Sequence, residues 1–140
     1  MQISPHLCFD GQCREAIEWY QDILGGIIGT MLSYGESPMA AQVSPEHHGQ
    51  ILHATLKIGY LELTGVDMLP EQYVKPQGFF VTLSVDDAFE GKRIYSSLAE
   101  GGEIRVPFEP TFWSAGFGVL TDRFSIPWEI NCEQSPEVLP

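Results

Sequence analysis

One order of elements runs through this chain twice, each time punctuated by a pair of glycines. Residues 3–9 (ISPHLCF) read as a strand, and Asp10-Gly11 as a turn. From Cys13 to Leu24 the apolar positions Ala16, Ile17, Trp19, Tyr20, Ile23 and Leu24 recur at helical spacing, and Gly25-Gly26 stops the helix. Strands follow at 27–34, 51–58 and 60–64, with a long loop over 35–50. The order then restarts with FFVTLSV (79–85), a helix from the capping candidates Asp86 and Asp87 to about Glu100, and Gly101-Gly102. Strands at 103–108, 112–120 and 126–132 complete it, and 133–140 reads as a loose tail. With Pro5 set on Phe80, Tyr20 falls on Tyr95 and the glycine pairs fall one residue apart. A repeat of this kind sets the fold. The pattern predicts an α+β chain of two βαβββ modules, 3–66 and 78–133, within a single domain spanning 1–140. The sheets are expected to be curved and mostly antiparallel, with the helices outside.

Period-two alternation sorts each strand into two faces. The helices need an apolar sheet face to pack on. That assigns Leu61 and Leu63, Val81, Leu83 and Val85, and Trp128, Ile130 and Cys132 to the helix side. With them, Trp19, Tyr20 and Ile23 are expected in the core. The opposite faces carry His53, Glu62, Phe80, Thr82, Glu129 and Asn131, with Tyr60, Phe112 or Trp113, and Phe117 nearby. Aromatic rings mixed with a few polar groups describe a ligand cleft better than a solvent face. A hairpin turning at Ile58-Gly59 sets Thr55 opposite Glu62. His53 is then diagonal to Glu62, roughly 7 Å away, close enough for proton transfer or for an idle surface pair.

Charge and cysteine usage narrow the partners. The formal charge is −12, and seven basic residues lie scattered from Arg14 to Arg123. Nucleic acid and anionic membranes bind through clustered Lys and Arg, so neither is an expected partner. The three cysteines, Cys8, Cys13 and Cys132, form no CxxC and read as reduced thiols. The first residues show no basic n-region, and no apolar run approaches the ~18 residues of a membrane span. A cytoplasmic protein is expected.

Three segments carry a resemblance. FDGQCREAIEWYQDILGG, ILHATLKIGYLEL and TFWSAGFGVLTDRFSIPWEINCE resemble the first helix, central hairpin and C-terminal signature of PhnB-like proteins. These belong to the glyoxalase/bleomycin-resistance/dioxygenase (vicinal oxygen chelate) superfamily. The resemblance implies paired βαβββ modules and a homodimer. It also implies four cavity positions that hold a divalent ion in metal-dependent relatives. Its glutamate positions fall on Glu62 and Glu129, and its histidine positions on Pro5 and Phe80. His6 is one residue off, which in a strand reverses the face. Two carboxylates without nitrogen ligands make a weak transition-metal site, although His47, His48 or His53 could contribute. No metal ligand set and no cofactor is therefore expected.

The expected function is small-molecule binding, through His53, Tyr60, Phe80, Thr82, Trp113, Phe117 and Asn131. The alternative is a metal-free or weakly metal-dependent lyase or isomerase acting on a small carbonyl metabolite, with Glu62 and Glu129 as its catalytic carboxylates. Some relatives carry a methyltransferase label, but this chain has neither a GxGxxG-type loop after a strand nor a parallel βαβ series. Nor does any Arg/Lys cluster exist to hold a phosphonate.

Overall fold

The structure is a computed structural model and describes residues 1–133. The tail expected over 133–140 lies outside the described residues except for Glu133, which ends a strand. The chain divides into two compact units, Met1–Lys75 and the part from Pro76 onward.

The first unit contains β1 (His6–Phe9), α1 (Cys13–Leu24), β2 (Ile27–Ser33), β3 (Ile51–Ile58) and β4 (Leu61–Asp67). Its sheet has the order β1-β4-β3-β2. β1 runs parallel to β4, and the other pairs are antiparallel. The helix forms where the apolar spacing placed it, burying Cys13, Ala16, Ile17, Tyr20 and Ile23. It packs close because Gly65 lies beneath it: a Cβ there would stand 3.0 Å from Cys13 Sγ and 3.3 Å from the Phe9 ring. The buried Asp67 carboxylate receives the Cys13 N–H at 2.9 Å and the Ile51 N–H at 2.8 Å. One side chain thus ties the helix start to the start of β3. Burial, and secondarily the Asp67 charge, push the Cys13 thiol well above its ordinary range.

The long loop expected over 35–50 is a run of short 3-10 turns. A reciprocal Ser33–Glu36 cap opens the run. His48 Nε2 lies 2.9 Å from both the Ala40 and Val43 carbonyls and holds the middle together.

The second unit repeats the topology with β5 (Val81–Val85), α2 (Ala88–Ala99), β6 (Glu103–Glu109), β7 (Ser114–Thr121) and β8 (Pro127–Glu133), in the order β5-β8-β7-β6. The parallel pair is again first with last, β5 with β8. Asp87 caps α2, accepting the Phe89 N–H at 3.0 Å.

The two glycine pairs do matching work. Gly25 and Gly101 take φ values of 79° and 78° where each helix ends, a region that side chains with a Cβ rarely enter. A Cβ on the second glycine of each pair would strike a strand carbonyl, that of Lys57 beside Gly26 and that of Thr121 beside Gly102.

Burial follows the predicted faces with one correction. Tyr20, Ile23, Leu63, Trp128, Ile130 and Cys132 are buried; Trp19, Val81, Leu83 and Val85 are half-buried. Leu61, expected in the core, is 70% exposed. It forms the first pair after the hairpin turn, and alternation reports a face without reporting how far the helix covers it. Leu63→Ala is accordingly expected to cost about 2–5 kcal/mol. Leu61→Ala should stay within about 0.5 kcal/mol. Urea melts of the two variants make the comparison.

Candidate functional site

Each sheet has one face under its helix and one face turned away from it. In the first unit the face away from the helix carries His6 on β1, His53 on β3, and Glu62 and Thr64 on β4. Leu7 and Phe9 are the buried pair of β1, which turns His6 outward. His6 Nδ1 lies 2.5 Å from Thr64 Oγ1, which in turn donates to the Pro5 carbonyl at 3.1 Å. The His6 and His53 rings stack with centroids 6.4 Å apart. The sequence assigned His6 to the opposite face; the His6↔Thr64 register overturns that reading.

The hairpin also differs from expectation. Ile58 pairs with Leu61 and Lys57 with Glu62, so the turn residues are Gly59-Tyr60 rather than Ile58-Gly59. Gly59 supplies the left-handed φ of 59° that such a tight turn needs. Two consequences follow. Glu62 faces Lys57, and the His53–Glu62 pair does not form, because His53 lies far along β3 beside His6. Tyr60 occupies the turn tip, fully exposed, instead of a strand face.

In the second unit the face away from the helix is denser. Thr82 pairs with Glu129 and Ser84 with Asn131 across the parallel strands. On the other side of β8, Val119 pairs with Glu129 and Phe117 with Asn131. The Thr82 hydroxyl donates to Glu129 Oε1 at 3.1 Å. Asn131 Oδ1 is buried with no hydrogen-bond partner. Trp113 meets Phe117 edge-on at 5.4 Å and Phe112 at 4.7 Å. The Arg105 guanidinium lies 5.3 Å above the Phe80 ring. β5 and β6 are opposite edges of this sheet, roughly 14 Å apart at ~4.8 Å per strand. The Phe80 and Arg105 side chains therefore reach toward each other across the face.

The chain matches the family model described as 3-demethylubiquinone-9 3-methyltransferase over residues 1–131. The chain belongs to this family. It is 37% identical over 139 residues to Protein YjdN of Escherichia coli K12, covering 94% of this chain and 95% of that one. The crystal structure of PA1353 from Pseudomonas aeruginosa is 41% identical with a TM-score of 0.88, covering 96% of this chain and 99% of that one. A PhnB protein from Bacillus cereus shares the fold at 22% identity and a TM-score of 0.80, with 94% and 99% covered. The same fold recurs at lower identity among glyoxalase/bleomycin resistance/dioxygenase structures. The chain shares the fold of these structures.

The donor set of this chain does not fit a tightly held divalent ion. Among the described residues no three His, Cys, Asp or Glu side chains gather at ligating distance. The first sheet offers two stacked imidazoles, one already bonded to Thr64. The two glutamates also differ in ladder position. Glu129 has a β5 partner, Thr82, whereas Glu62 precedes the first β1–β4 pair, His6↔Thr64. No helix among the described residues is long and apolar enough to cross a membrane.

Sequence reasoning placed Ser84 with Thr82, set His6 on the wrong face, and passed over Val119 and Arg105. Val119 follows from alternation once Phe117 is placed. His6 needed the register of β1 against β4. Arg105 left no signal, because it meets Phe80 across the full width of a sheet.

Proposed function

We propose that this PhnB-like chain binds a small organic molecule on the face of the second sheet that carries Glu129 and Asn131. One observation carries the reading: Asn131 Oδ1 is buried and unpartnered beside the half-buried Phe117. Buried polar atoms in native proteins nearly always have a partner, and one without points to a missing group. Thr82, Trp113 and Phe80 complete a mix of rings and polar groups that suits a ligand site. His53 and Glu62, also named from the sequence, lie on the sheet of the other unit.

The lyase or isomerase reading, which names Glu62 and Glu129 as catalytic carboxylates, loses the possible His53 partner of Glu62. Methyl transfer has no support either, since each unit is a four-stranded mixed sheet with a single parallel pair and offers no doubly wound site for a methyl donor.

A metabolite library screened by thermal shift tests the proposal. Compounds that raise the melting temperature should lose that effect in Asn131→Leu and Trp113→Ala. Stabilisation that survives both substitutions would place the site elsewhere. The pairing of subunits into a homodimer is supported by Ile27 (72% exposed), Tyr60 and Leu61 (70% exposed), apolar side chains grouped at one end of the first sheet. Sedimentation should give a dimer at micromolar concentration, and Leu61→Glu should shift it toward monomer.

A further inference from the structure

We infer that the ligand of the second sheet is an organic cation: a flat ring bearing a protonated nitrogen group, such as an amidinium or an amine. The inference rests on the ligand-binding reading above and names the chemical class.

The charge balance of the face points this way. Glu129 sits on β8, an interior strand of the sheet, and its carboxylate accepts from the neutral Thr82 hydroxyl. Among the described residues no Lys, Arg or His reaches it within ion-pair distance. The Arg105 guanidinium on this face stacks on the Phe80 ring rather than pairing with Glu129. A half-buried carboxylate with no ion-pair partner favours a ligand that brings its own positive charge.

The neighbouring groups agree. Asn131 Oδ1 accepts hydrogen bonds and has none, so it too calls for an N–H donor. Trp113 and Phe117 present π faces and edges beside it, and such faces attract cations. The spacing suits one molecule. Phe117 and Glu129 are diagonal neighbours on adjacent strands, since Phe117 pairs with Asn131 and Val119 with Glu129. That diagonal is roughly 7–8 Å, about the reach of a single ring carrying a charged head. At long range, a net charge of −12 draws cations toward the protein and repels anions.

Three near-isosteric probes separate charge from shape: benzamidinium, benzamide and benzoate. Each is titrated into the full chain while the Trp113 indole N–H and the Asn131 side-chain amide are followed by NMR. Benzamidinium should bind roughly tenfold tighter than benzamide, and benzoate weakest of the three. Glu129→Gln should bring benzamidinium down to the level of benzamide while leaving benzamide unchanged. Trp113→Ala should weaken both. Equal binding of all three probes, a preference for benzoate, or an unchanged ratio in Glu129→Gln overturns the cation inference, and in those cases the ligand-binding reading survives. If no probe moves either signal, the cation inference falls, and the ligand-binding reading is decided by the library screen.

Discussion

Asp122→Ala is expected to destabilise the chain by at least about 3 kcal/mol, at roughly 1–3 kcal/mol for each of three buried donors left unpaired. Asp122 is 3% exposed, and its side chain adds to the Asp122 N–H to Ile126 carbonyl and Ser125 N–H to Asp122 carbonyl bonds of the turn between β7 and β8. Its Oδ1 receives the Phe124 N–H at 2.8 Å and the Ile126 N–H at 3.0 Å, and its Oδ2 receives the Trp128 indole N–H at 2.8 Å. Ser125, inside the turn, has a φ of 72°, a strained value for a residue with a Cβ. The carboxylate over-determines that conformation. Asp122→Asn should cost less than alanine: its amide oxygen can replace one carboxylate oxygen, but its NH2 then confronts a donor. The damage should reach the candidate site, because Trp128 is the neighbour of Glu129, and burying the indole fixes which way Glu129 faces. Urea melts of the full chain, read by near-ultraviolet circular dichroism, measure both effects. A loss below about 1 kcal/mol in Asp122→Ala would show that the turn holds without its carboxylate.

The sequence exposes some of these features and conceals others for physical reasons. α1 was legible because Ala16, Ile17, Tyr20 and Ile23 share one helical stripe and Gly25 ends it; no distant contact is needed to form that pattern. The repeat was legible for the same reason, since both glycine pairs are local punctuation. The hairpin was misread by one position. Gly59 serves as the first turn residue and not the second, and composition alone does not choose between them. That small error moved Glu62 from Thr55 to Lys57 and removed its supposed histidine partner. Thr82, Glu129, Asn131 and Phe117 share one face of the second sheet, a grouping that alternation is enough to give. What alternation could not supply was the unpartnered state of Asn131 Oδ1 or the Arg105–Phe80 contact, which depend on strands brought together from far along the chain. The buried aspartates were hidden as well: an Asp at a strand end looks like any turn residue until its partners are in place.

Asp67→Ala is the second change expected to have a large effect, about 2–5 kcal/mol for two buried backbone donors left without an acceptor. Asp67 is 1% exposed, and its two oxygens join Cys13 of α1 to Ile51 of β3. Its backbone carbonyl also receives the Tyr34 hydroxyl at 2.7 Å, a contact that the substitution leaves available. The charge has a separate consequence. Burial first, and the Asp67 carboxylate second, raise the Cys13 thiol above its ordinary value of 9.0. A raised thiol is protonated in the fold while the unfolded chain ionises near 9.0. Its contribution to stability is therefore complete below about pH 9 and declines as pH rises beyond it. Cys13→Ala should flatten the alkaline fall in stability. Asp67→Asn removes the charge and keeps one acceptor, so it should lower the thiol's proton affinity and speed alkylation of Cys13 by iodoacetamide. Cys132, buried in the other unit, is the internal control. Faster labelling of Cys13 alone identifies the lost charge and local loosening around α1; parallel acceleration of Cys132 would mean that the whole chain unfolds more often. Labelling of Cys13 as slow in Asp67→Asn as in the parent would show that burial alone protects the thiol.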